Sequence, residues 1–331
     1  MVKAFGLKVI LYFAVYSILF ALGNSLLFKY VNTQIFDRED IRTVVIGDSG
    51  MLLLNEDDIK NSLNISQAEE TYKVMYYKIK AINKIRPIEN LVMPLSTSNV
   101  AILNDKILNG ERNTFEHVKR LYPLTNPLNL LTDGTDLVAG LEVMTKHVLS
   151  VNLEYLKYLW GESDYTPIYN PQFAPLIKKS IKNPSKKARM KFDQYYAQHL
   201  VDARIKHVYY DDKDSTTAVS QTAIKYLEKI VNYCYYEKIN VFLITMPLVS
   251  SYQKDTPQIY KDKVAELKAY YSRYEHIKLL DYRDYYSKNE NSHFFTNSDH
   301  ATRYGVSLIS RDINKNIYKP TSQKTNTYQQ R

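Results

Sequence analysis

The sequence predicts an α/β fold with a central parallel sheet of five strands. Short apolar segments rich in β-branched residues alternate with longer segments of helical period along most of the chain. A parallel strand is buried on both faces, so it reads as a continuous apolar run. With 331 residues, 45% hydrophobic and 24% charged, the chain has the composition of a folded globular protein. These features together favour a layered α/β domain.

Three of the predicted strands fall in the first third of the chain: Thr43–Ile46, Ser62–Ser66 and Asn90–Ser96. The first of them, TVVI, is apolar after its opening threonine, as a strand covered on both faces should be. Between the second and third strands the apolar side chains recur every three or four residues, at Tyr72, Met75, Ile79 and Ile82. That spacing predicts an amphipathic helix.

The last third of the chain repeats this alternation. It supplies strands at Asn240–Pro247 and His276–Tyr282 and three helical stripes: Ile224, Leu227, Val231 and Cys234; Tyr260, Val264, Leu267 and Tyr271; Val306, Ile309, Ile313 and Ile317. The second of these helices is predicted to begin with Thr256 as its N-cap and Pro257 at its first position. The sequence therefore predicts five strands, three in the first third of the chain and two in the last third.

The middle of the chain has a weaker pattern. Residues 141–160 predict a helix, but the surrounding Pro-, Asn- and Lys-containing sequence has no clear period. We interpret residues 100–220, approximately, as a largely helical insertion carried by an α/β domain that spans 43–318. The polar tail 319–331 is expected to be disordered.

The N-terminal residues 1–29 have the composition of an export segment. Lys8–Phe28 is almost entirely apolar, and about 20 such residues span a bilayer core as a helix. Lys3 lies before the segment, Lys8 is its first residue, and no acidic residue accompanies them. This distribution of charge favours a cytoplasmic N-terminus and an exported remainder of the chain. An uncleaved anchor is the preferred interpretation, with a signal peptide cleaved near Gly23 as the alternative. Residues 30–42 are expected to form a linker.

Composition excludes several classes of function. The net charge of +9 favours acidic surroundings such as anionic lipids or glycans, and no nucleic-acid-binding motif accompanies it. The single cysteine, Cys234, lies on an apolar helix face, so no internal disulfide forms. Neither metal-ligand spacing nor a phosphate-binding glycine loop is present. No metal, cofactor or nucleic-acid partner is therefore expected.

Two short motifs carry the candidate chemistry. Gly47-Asp48-Ser49 directly follows the first predicted strand, and the ends of parallel strands are where such sheets expose functional groups. His300 lies in a polar loop just before the last predicted helix. A serine hydroxyl becomes a nucleophile when a base lies within hydrogen-bond reach and donors await the developing oxyanion.

This arrangement resembles the SGNH/GDSL hydrolase superfamily, in which Gly-Asp-Ser follows the first strand and Asp-x-x-His precedes the last helix. The segments GDSGMLLLNEDDIKNSLNIS, VFLITMPLVSSYQ and FFTNSDHATRYG look like blocks of an exported, membrane-anchored bacterial subgroup. Envelope-glycan O-acetyltransferases and esterases are relatives of this type. The resemblance implies an SGNH-like, flavodoxin-like three-layer sandwich around the five-stranded sheet.

The resemblance also implies the roles of the residues. Ser49 would be the nucleophile and His300 the general base, while the Ser49 N–H, Ser66 or Gln67, and Asn99 would contribute to an oxyanion hole. No cofactor is implied. The substrate would be a small acyl ester, most simply acetyl, on an extracytoplasmic glycan or another acyl-bearing envelope molecule. The domain would face the extracytoplasmic space, which is the periplasm in a Gram-negative cell.

The chain departs from the family pattern at its acid. Asn297 occupies the position three residues before the histidine, and an amide cannot stabilise an imidazolium by charge. Asp299, directly before His300, is the candidate replacement, provided that its carboxylate curls back to the ring; Asp281 is a second possibility. Gly50 stands where the subgroup usually has a histidine. The alternative function is therefore a catalytically inactive protein that binds a glycan or a membrane partner.

Overall fold

The computed structural model describes residues 2–108, 120–121, 123–124, 150–164, 166–169, 198–210 and 217–318. The strands are β1 (Thr43–Val45), β2 (Ser62–Asn64), β3 (Asn90–Pro94), β4 (Asn240–Thr245) and β5 (Ile277–Asp281). The helices are α1 (Val2–Phe36), α2 (Tyr72–Ile85), α3 (Leu103–Leu108), α4 (Gln198–Tyr209), α5 (Gln221–Tyr236), α6 (Ser250–Asp255), α7 (Gln258–Tyr271) and α8 (Arg303–Tyr318). Residues 150–159 are also helical.

The five strands form one parallel sheet, as the sequence predicted, and their order in the sheet is β2-β1-β3-β4-β5. In register, Val44 lies beside Leu91, which in turn lies beside Val241. The chain winds outward in both directions from β1 and β3. All five strands point the same way, so their carboxyl ends meet at one edge of the sheet.

Each face of the sheet is covered by helices, which gives three layers. Alternate side chains along a strand point to opposite faces. Val44, Leu91 and Val241 belong to one apolar cluster with α1, α2, α5 and α7, whereas Val45, Val92 and Phe242 belong to a second cluster with α8 and the 51–59 segment. Burial on both faces is why these strands read as unbroken apolar runs.

The predicted helical stripes lie against the sheet. The four positions predicted for α2 and the four predicted for α7 are all buried. The start of α7 differs from the prediction by one residue, because Pro257 is the N-cap and Gln258 begins the helix. Thr256 does not cap α7. Its Oγ1 instead donates to the carbonyl of Tyr252, 2.8 Å away, at the end of α6.

Helix α1 continues further than the sequence indicated. Residues 30–36, expected to be part of a linker, remain helical because Val31 and Phe36 are fully buried in the core beneath the sheet. Asn24 accepts a hydrogen bond of 2.7 Å from Asn152, which fastens this end of the helix to the helical residues 150–159. Among the residues whose side chains are described, which leave out 2–10, 13–14 and 16–17 of α1, no helix is both long and apolar enough to cross a membrane.

The insertion leaves the domain and returns to it at a single point. Ala101 pairs with Val219 in an isolated antiparallel bridge, and the Ser220 N–H donates to the carbonyl of Val100 over 2.9 Å. Helices α3 and α4 and the helical residues 150–159 lie between these ends. The first part of the helix predicted at 141–160 and the tail 319–331 lie outside the described residues.

The turn after β1 requires glycine at position 47. A Cβ there would overlap the Met51 side chain and would lie 2.9 Å from Cδ of Pro94. Gly47→Ala should therefore destabilise the fold by about 1–3 kcal/mol, the usual cost of overpacking a core. Urea unfolding followed by circular dichroism would measure the change.

Gly23→Ala is the matched control, because a Cβ at that exposed position of α1 meets no atom within 4 Å. The control should stabilise the protein by about 0.5–1 kcal/mol, since alanine is the better helix former. Equal stabilities for the two alanine variants would contradict the assigned packing of the turn.

Candidate active site

Ser49 lies at the carboxyl edge of the sheet, in a tight turn directly after β1. The turn is closed by a hydrogen bond from the Met51 N–H to the carbonyl of Asp48, 3.0 Å long. The Gly50 N–H donates to Oδ1 of the same aspartate over 3.0 Å. An aspartate that bonds the backbone two residues ahead is a common way to fix such a turn. The turn thus holds Ser49 at the sheet edge.

His300 reaches the same edge from the loop before α8. The loop is pinned by the bridge between Phe295 and Ala301 and by a 2.9 Å hydrogen bond from the Thr296 N–H to the carbonyl of His300. His300 Nε2 lies 2.7 Å from Oγ of Ser49, across 251 positions of sequence. The two motifs predicted to carry the chemistry are therefore in direct contact.

The other ring nitrogen of His300 faces two acceptors. Nδ1 lies 3.0 Å from Oδ1 of Asp299 and 3.0 Å from Oδ1 of Asn297. The Asn297 oxygen also accepts from the Asp299 N–H over 3.1 Å, which fixes the orientation of the amide. With two acceptors in front of it, Nδ1 carries the proton of the neutral ring. Nε2 is left free to accept the Ser49 proton.

Asp299 is a largely buried carboxylate that has a hydrogen-bond partner on each side. Oδ2 accepts a hydrogen bond of 2.7 Å from Nε of Arg204, a residue of α4 in the insertion. Although burial opposes ionisation, the charges and hydrogen bonds of His300 and Arg204 lower the pKa of Asp299 to about 2. Asp299 is therefore ionised at neutral pH. The carboxylate does curl back to the ring, as the sequence required of a replacement acid.

The pKa of His300 is raised above its ordinary value of 6.5. Burial acts to lower it, but the charge and hydrogen bond of Asp299 outweigh both burial and the opposing charge of Arg204. Asp48 adds a further, smaller attraction for the imidazolium. A base that gains stability on protonation is suited to accepting the proton of a serine hydroxyl.

Asp48 lies beside Ser49 in an environment unlike that of Asp299. Its Oδ2 accepts a 2.7 Å hydrogen bond from the side-chain amide of Asn99, whose Oδ1 in turn accepts from the N–H and Oγ of Ser96. Burial raises the pKa of Asp48, against the effect of the bonds from Asn99 and Gly50. Asn99 thus links the end of β1 to the loop after β3.

Ser49 and His300 line a cavity of about 90 Å³. One part of its wall is apolar and includes Leu103, Ile107, Val208 and Met246, while another part is polar and includes Asp48, Asn99, Arg204 and Asp299. The cavity draws on the ends of β1, β3 and β4 and on α3 and α4 of the insertion. Two tyrosines, Tyr209 and Tyr252, close it further.

Only some of the predicted oxyanion donors are available at the site. Among the hydrogen bonds of the described residues, the Ser49 N–H has no acceptor, so it remains available to an oxyanion. Asn99 lines the cavity, but its amide donates to Asp48. Ser66 is buried away from the cavity, with its N–H bonded to Asn64, and the Gln67 N–H is taken by the carbonyl of Gly47. The structure therefore does not bring Ser66 or Gln67 to the site.

Two further residues, Asp281 and Arg204, have contacts that the sequence did not predict. Asp281, considered as a second possible acid, instead pairs with Lys268 and Arg283 at 2.8 Å each. Arg204 was not anticipated, because no motif marks it. The only sequence signal was the adjacency of Asp299 and His300, which implies that a third group must hold the carboxylate.

Comparisons with known proteins give little further information. No protein-family model matches the chain, and no curated protein matches it. A solved structure described as "a putative platelet activating factor from Streptococcus pneumonia" superposes with a TM-score of 0.42 and 10% sequence identity. That superposition covers 92% of this chain and 99% of the other.

The network around His300 predicts a measurable titration. In the wild-type protein, the His300 ring should titrate above 6.5, and Asp299→Asn should lower that pKa, because burial remains while the attracting charge is lost. NMR titration of the histidine ring signals would measure both values. Asp48 and Arg204, the other charged groups facing the ring, are unchanged in the variant.

Asn297→Ala is the comparison variant: it removes a neutral acceptor from the same ring nitrogen, together with the acceptor of the Asp299 N–H, but it keeps the carboxylate. Its effect on the His300 pKa should be smaller than that of Asp299→Asn. A larger shift in Asn297→Ala would mean that the amide, and not the carboxylate, governs the ring.

Proposed function

We propose that the chain is an SGNH-like serine esterase or O-acyltransferase that acts on small acyl esters, acetyl in particular. The observation that carries this proposal is the hydrogen-bonded series Ser49–His300–Asp299 at the edge of the sheet, with 2.7 Å and 3.0 Å contacts. Nucleophile, base and orienting acid are the three parts of a serine hydrolase triad, which is recognised by geometry and not by sequence position.

Acylation would begin with attack of Ser49 Oγ on the ester carbonyl carbon. His300 Nε2 takes the hydroxyl proton as the new C–O bond forms, and Asp299 stabilises the imidazolium. The Ser49 N–H donates to the oxyanion. Collapse of the tetrahedral species breaks the ester C–O bond, and the imidazolium returns its proton to the leaving alcohol oxygen.

Deacylation would follow the same steps with a different nucleophile. A water molecule or a sugar hydroxyl gives its proton to His300 and attacks the acyl-serine carbonyl, and Ser49 Oγ leaves with the proton returned by the ring. Water yields a free acid, which makes the protein an esterase. A sugar hydroxyl yields a new ester, which makes it a transferase.

The cavity favours a short acyl group. Its volume of about 90 Å³ is well below the ~300–1,000 Å³ typical of sites for drug-sized ligands. Leu103, Ile107 and Val208 would contact the methyl of an acetyl group, with the carbonyl held beside Ser49.

The fold is compatible with the SGNH-like assignment. The strand order β2-β1-β3-β4-β5 is that of flavodoxin-like sheets, which bind ligands at the carboxyl ends of the strands where the winding reverses, between β1 and β3. Ser49 follows β1, and the Ser96–Asn99 segment follows β3. The candidate site thus lies where such folds place their chemistry.

A second candidate function is a catalytically inactive protein of the same fold that binds an envelope glycan or a membrane partner. Asn297 at the usual acid position favours it. The contact of Asp299 with Nδ1 of His300 weighs against it, because the chain still supplies a carboxylate at the ring.

The cellular location is part of the proposal. We infer that α1 anchors the protein in a membrane with the α/β domain on the extracytoplasmic side. The supporting observation is that most of the apolar side chains described between residues 11 and 26 are exposed, including Leu11, Leu19 and Leu26 at 62–67%.

A C-terminal alkaline phosphatase fusion tests the location. The enzyme is active only outside the cytoplasm, so the full-length fusion should be active, and it should pellet with membranes after carbonate extraction. A fusion lacking residues 1–29 should be inactive. An active fusion that carbonate releases into the supernatant would instead identify a cleaved signal peptide, and inactivity of both fusions would contradict export.

Ser49→Ala tests the chemistry. The substitution should lower hydrolysis of p-nitrophenyl acetate by roughly 10⁴-fold or more and abolish fluorophosphonate labelling, because the nucleophile is removed. Wild-type activity should rise with pH through the His300 pKa, above 6.5, since the base must be neutral.

Ser287→Ala, at an exposed position outside the cavity, is the control and should retain full activity. Equal labelling of the wild type and Ser49→Ala would remove the enzyme proposal in favour of the binding protein. With activity established, the appearance of acetyl on a supplied glycan acceptor distinguishes a transferase from an esterase.

A further inference from the structure

The insertion contributes a charged residue to the candidate active site. Arg204 lies in α4, and its Nε is 2.7 Å from Oδ2 of Asp299. The other oxygen of the same carboxylate, Oδ1, is 3.0 Å from Nδ1 of His300. The Asp299 carboxylate is thus held between a guanidinium on one side and the imidazole on the other. Its side chain is 12% exposed.

Asp299 needs such a partner because of its place in the sequence. It directly precedes His300, and the side chains of adjacent residues ordinarily diverge from the backbone. The bend that brings them together is supported by the bond from the Asp299 N–H to Asn297. That bond fixes the backbone only, so the rotation of the carboxylate is left to its own contacts. Arg204 supplies the contact opposite the ring.

The strength of the contact fits this role. A hydrogen bond between two ionised groups is shorter and about twice as strong as a neutral one. With 36% of its side chain exposed, Arg204 stays partly hydrated, so the cost of keeping its charge is modest. Arg204 also lines the cavity, although Ser49 Oγ has its close contact with His300 and not with the guanidinium.

We propose that Arg204 is a positioning residue, which holds the Asp299 carboxylate against His300 and thereby makes the insertion part of the catalytic machinery. The expected effect of Arg204 on kcat rests on the proposed esterase or acyltransferase function. Its effect on the hydrogen bond between Asp299 and Nδ1 of His300 is independent of that function. The main effect of Arg204 is exerted through Asp299, and its own charge opposes protonation of His300 only weakly by comparison.

A double-mutant cycle on p-nitrophenyl acetate hydrolysis tests the proposal. Arg204→Met should lower kcat by about 10²-fold with KM little changed, the usual effect of misplacing a catalytic group. Arg204→Lys should restore part of the loss. In the Asp299→Asn background, Arg204→Met should cause little additional loss, since the residue through which it acts is already altered. A full, independent loss in that background would overturn the proposal.

Arg311→Met is the matched control, because Arg311 Nε pairs with Oδ1 of Asp58 at 3.1 Å, outside the cavity. This variant also loses an arginine–aspartate pair, but it should keep the wild-type kcat. Thermal unfolding by circular dichroism must show Arg204→Met folded. A loss of kcat in Arg311→Met equal to that in Arg204→Met would attribute the effect to general destabilisation and would overturn the proposal.

A second readout does not depend on activity. The Hδ1 proton of His300, shared with Asp299, should give a downfield NMR signal in the wild type that is lost or weakened in Arg204→Met. An unchanged signal would overturn the positioning role even if the enzyme were active. A lost signal in a protein that hydrolyses no ester would uphold positioning and reject the proposed function, so the two failures are distinguishable.

Discussion

Parallel alignment of the strands is the constraint on which the candidate active site depends. Because all five strands run in one direction, the turn after β1, the loop after β3 and the loop before α8 meet at one edge. Gly47 lets the chain leave β1 without a collision against Met51 and Pro94, and Ser49 follows within two residues. The 2.7 Å contact of Ser49 with His300 is a consequence of that topology.

The surroundings of two aspartates at this edge shift their pKa values in opposite directions. Asp299 is largely buried but bonds Arg204 and His300, so its pKa falls to about 2, whereas burial raises the pKa of Asp48, whose donors Asn99 and Gly50 are neutral. Neighbouring carboxyls of different pKa are a recurrent way for a protein to give them different tasks. Here Asp299 has the contacts of a charged partner for the ring. Asp48 has the contacts of a fixed element in the turn that carries Ser49.

The insertion contributes residues to the candidate active site. It leaves and returns at the Ala101–Val219 bridge, so the α/β domain can carry it without disturbing the sheet. Its helices α3 and α4 supply Leu103, Arg204 and Val208 to the cavity wall, and Arg204 also holds Asp299. The sheet edge positions Ser49 and His300, and the insertion supplies the partner of the Asp299 carboxylate.

The sequence alone determined the elements that depend on local pattern. Continuous apolar runs located β1, β3 and β4, since burial on both faces leaves few polar positions to interrupt them. Helical spacing identified the buried faces of α2 and α7. The Gly-Asp-Ser turn and the histidine loop stood out because their residue types are needed together for acyl chemistry. Only the tertiary structure decided that Asp299, and not Asn297 or Asp281, supplies the charge at the ring, and that Arg204 holds it. The first choice depends on the rotation of the Asp299 carboxylate toward its sequence neighbour, and the second on a contact across 95 positions. Neither periodicity nor motif spacing carries information on contacts of these kinds.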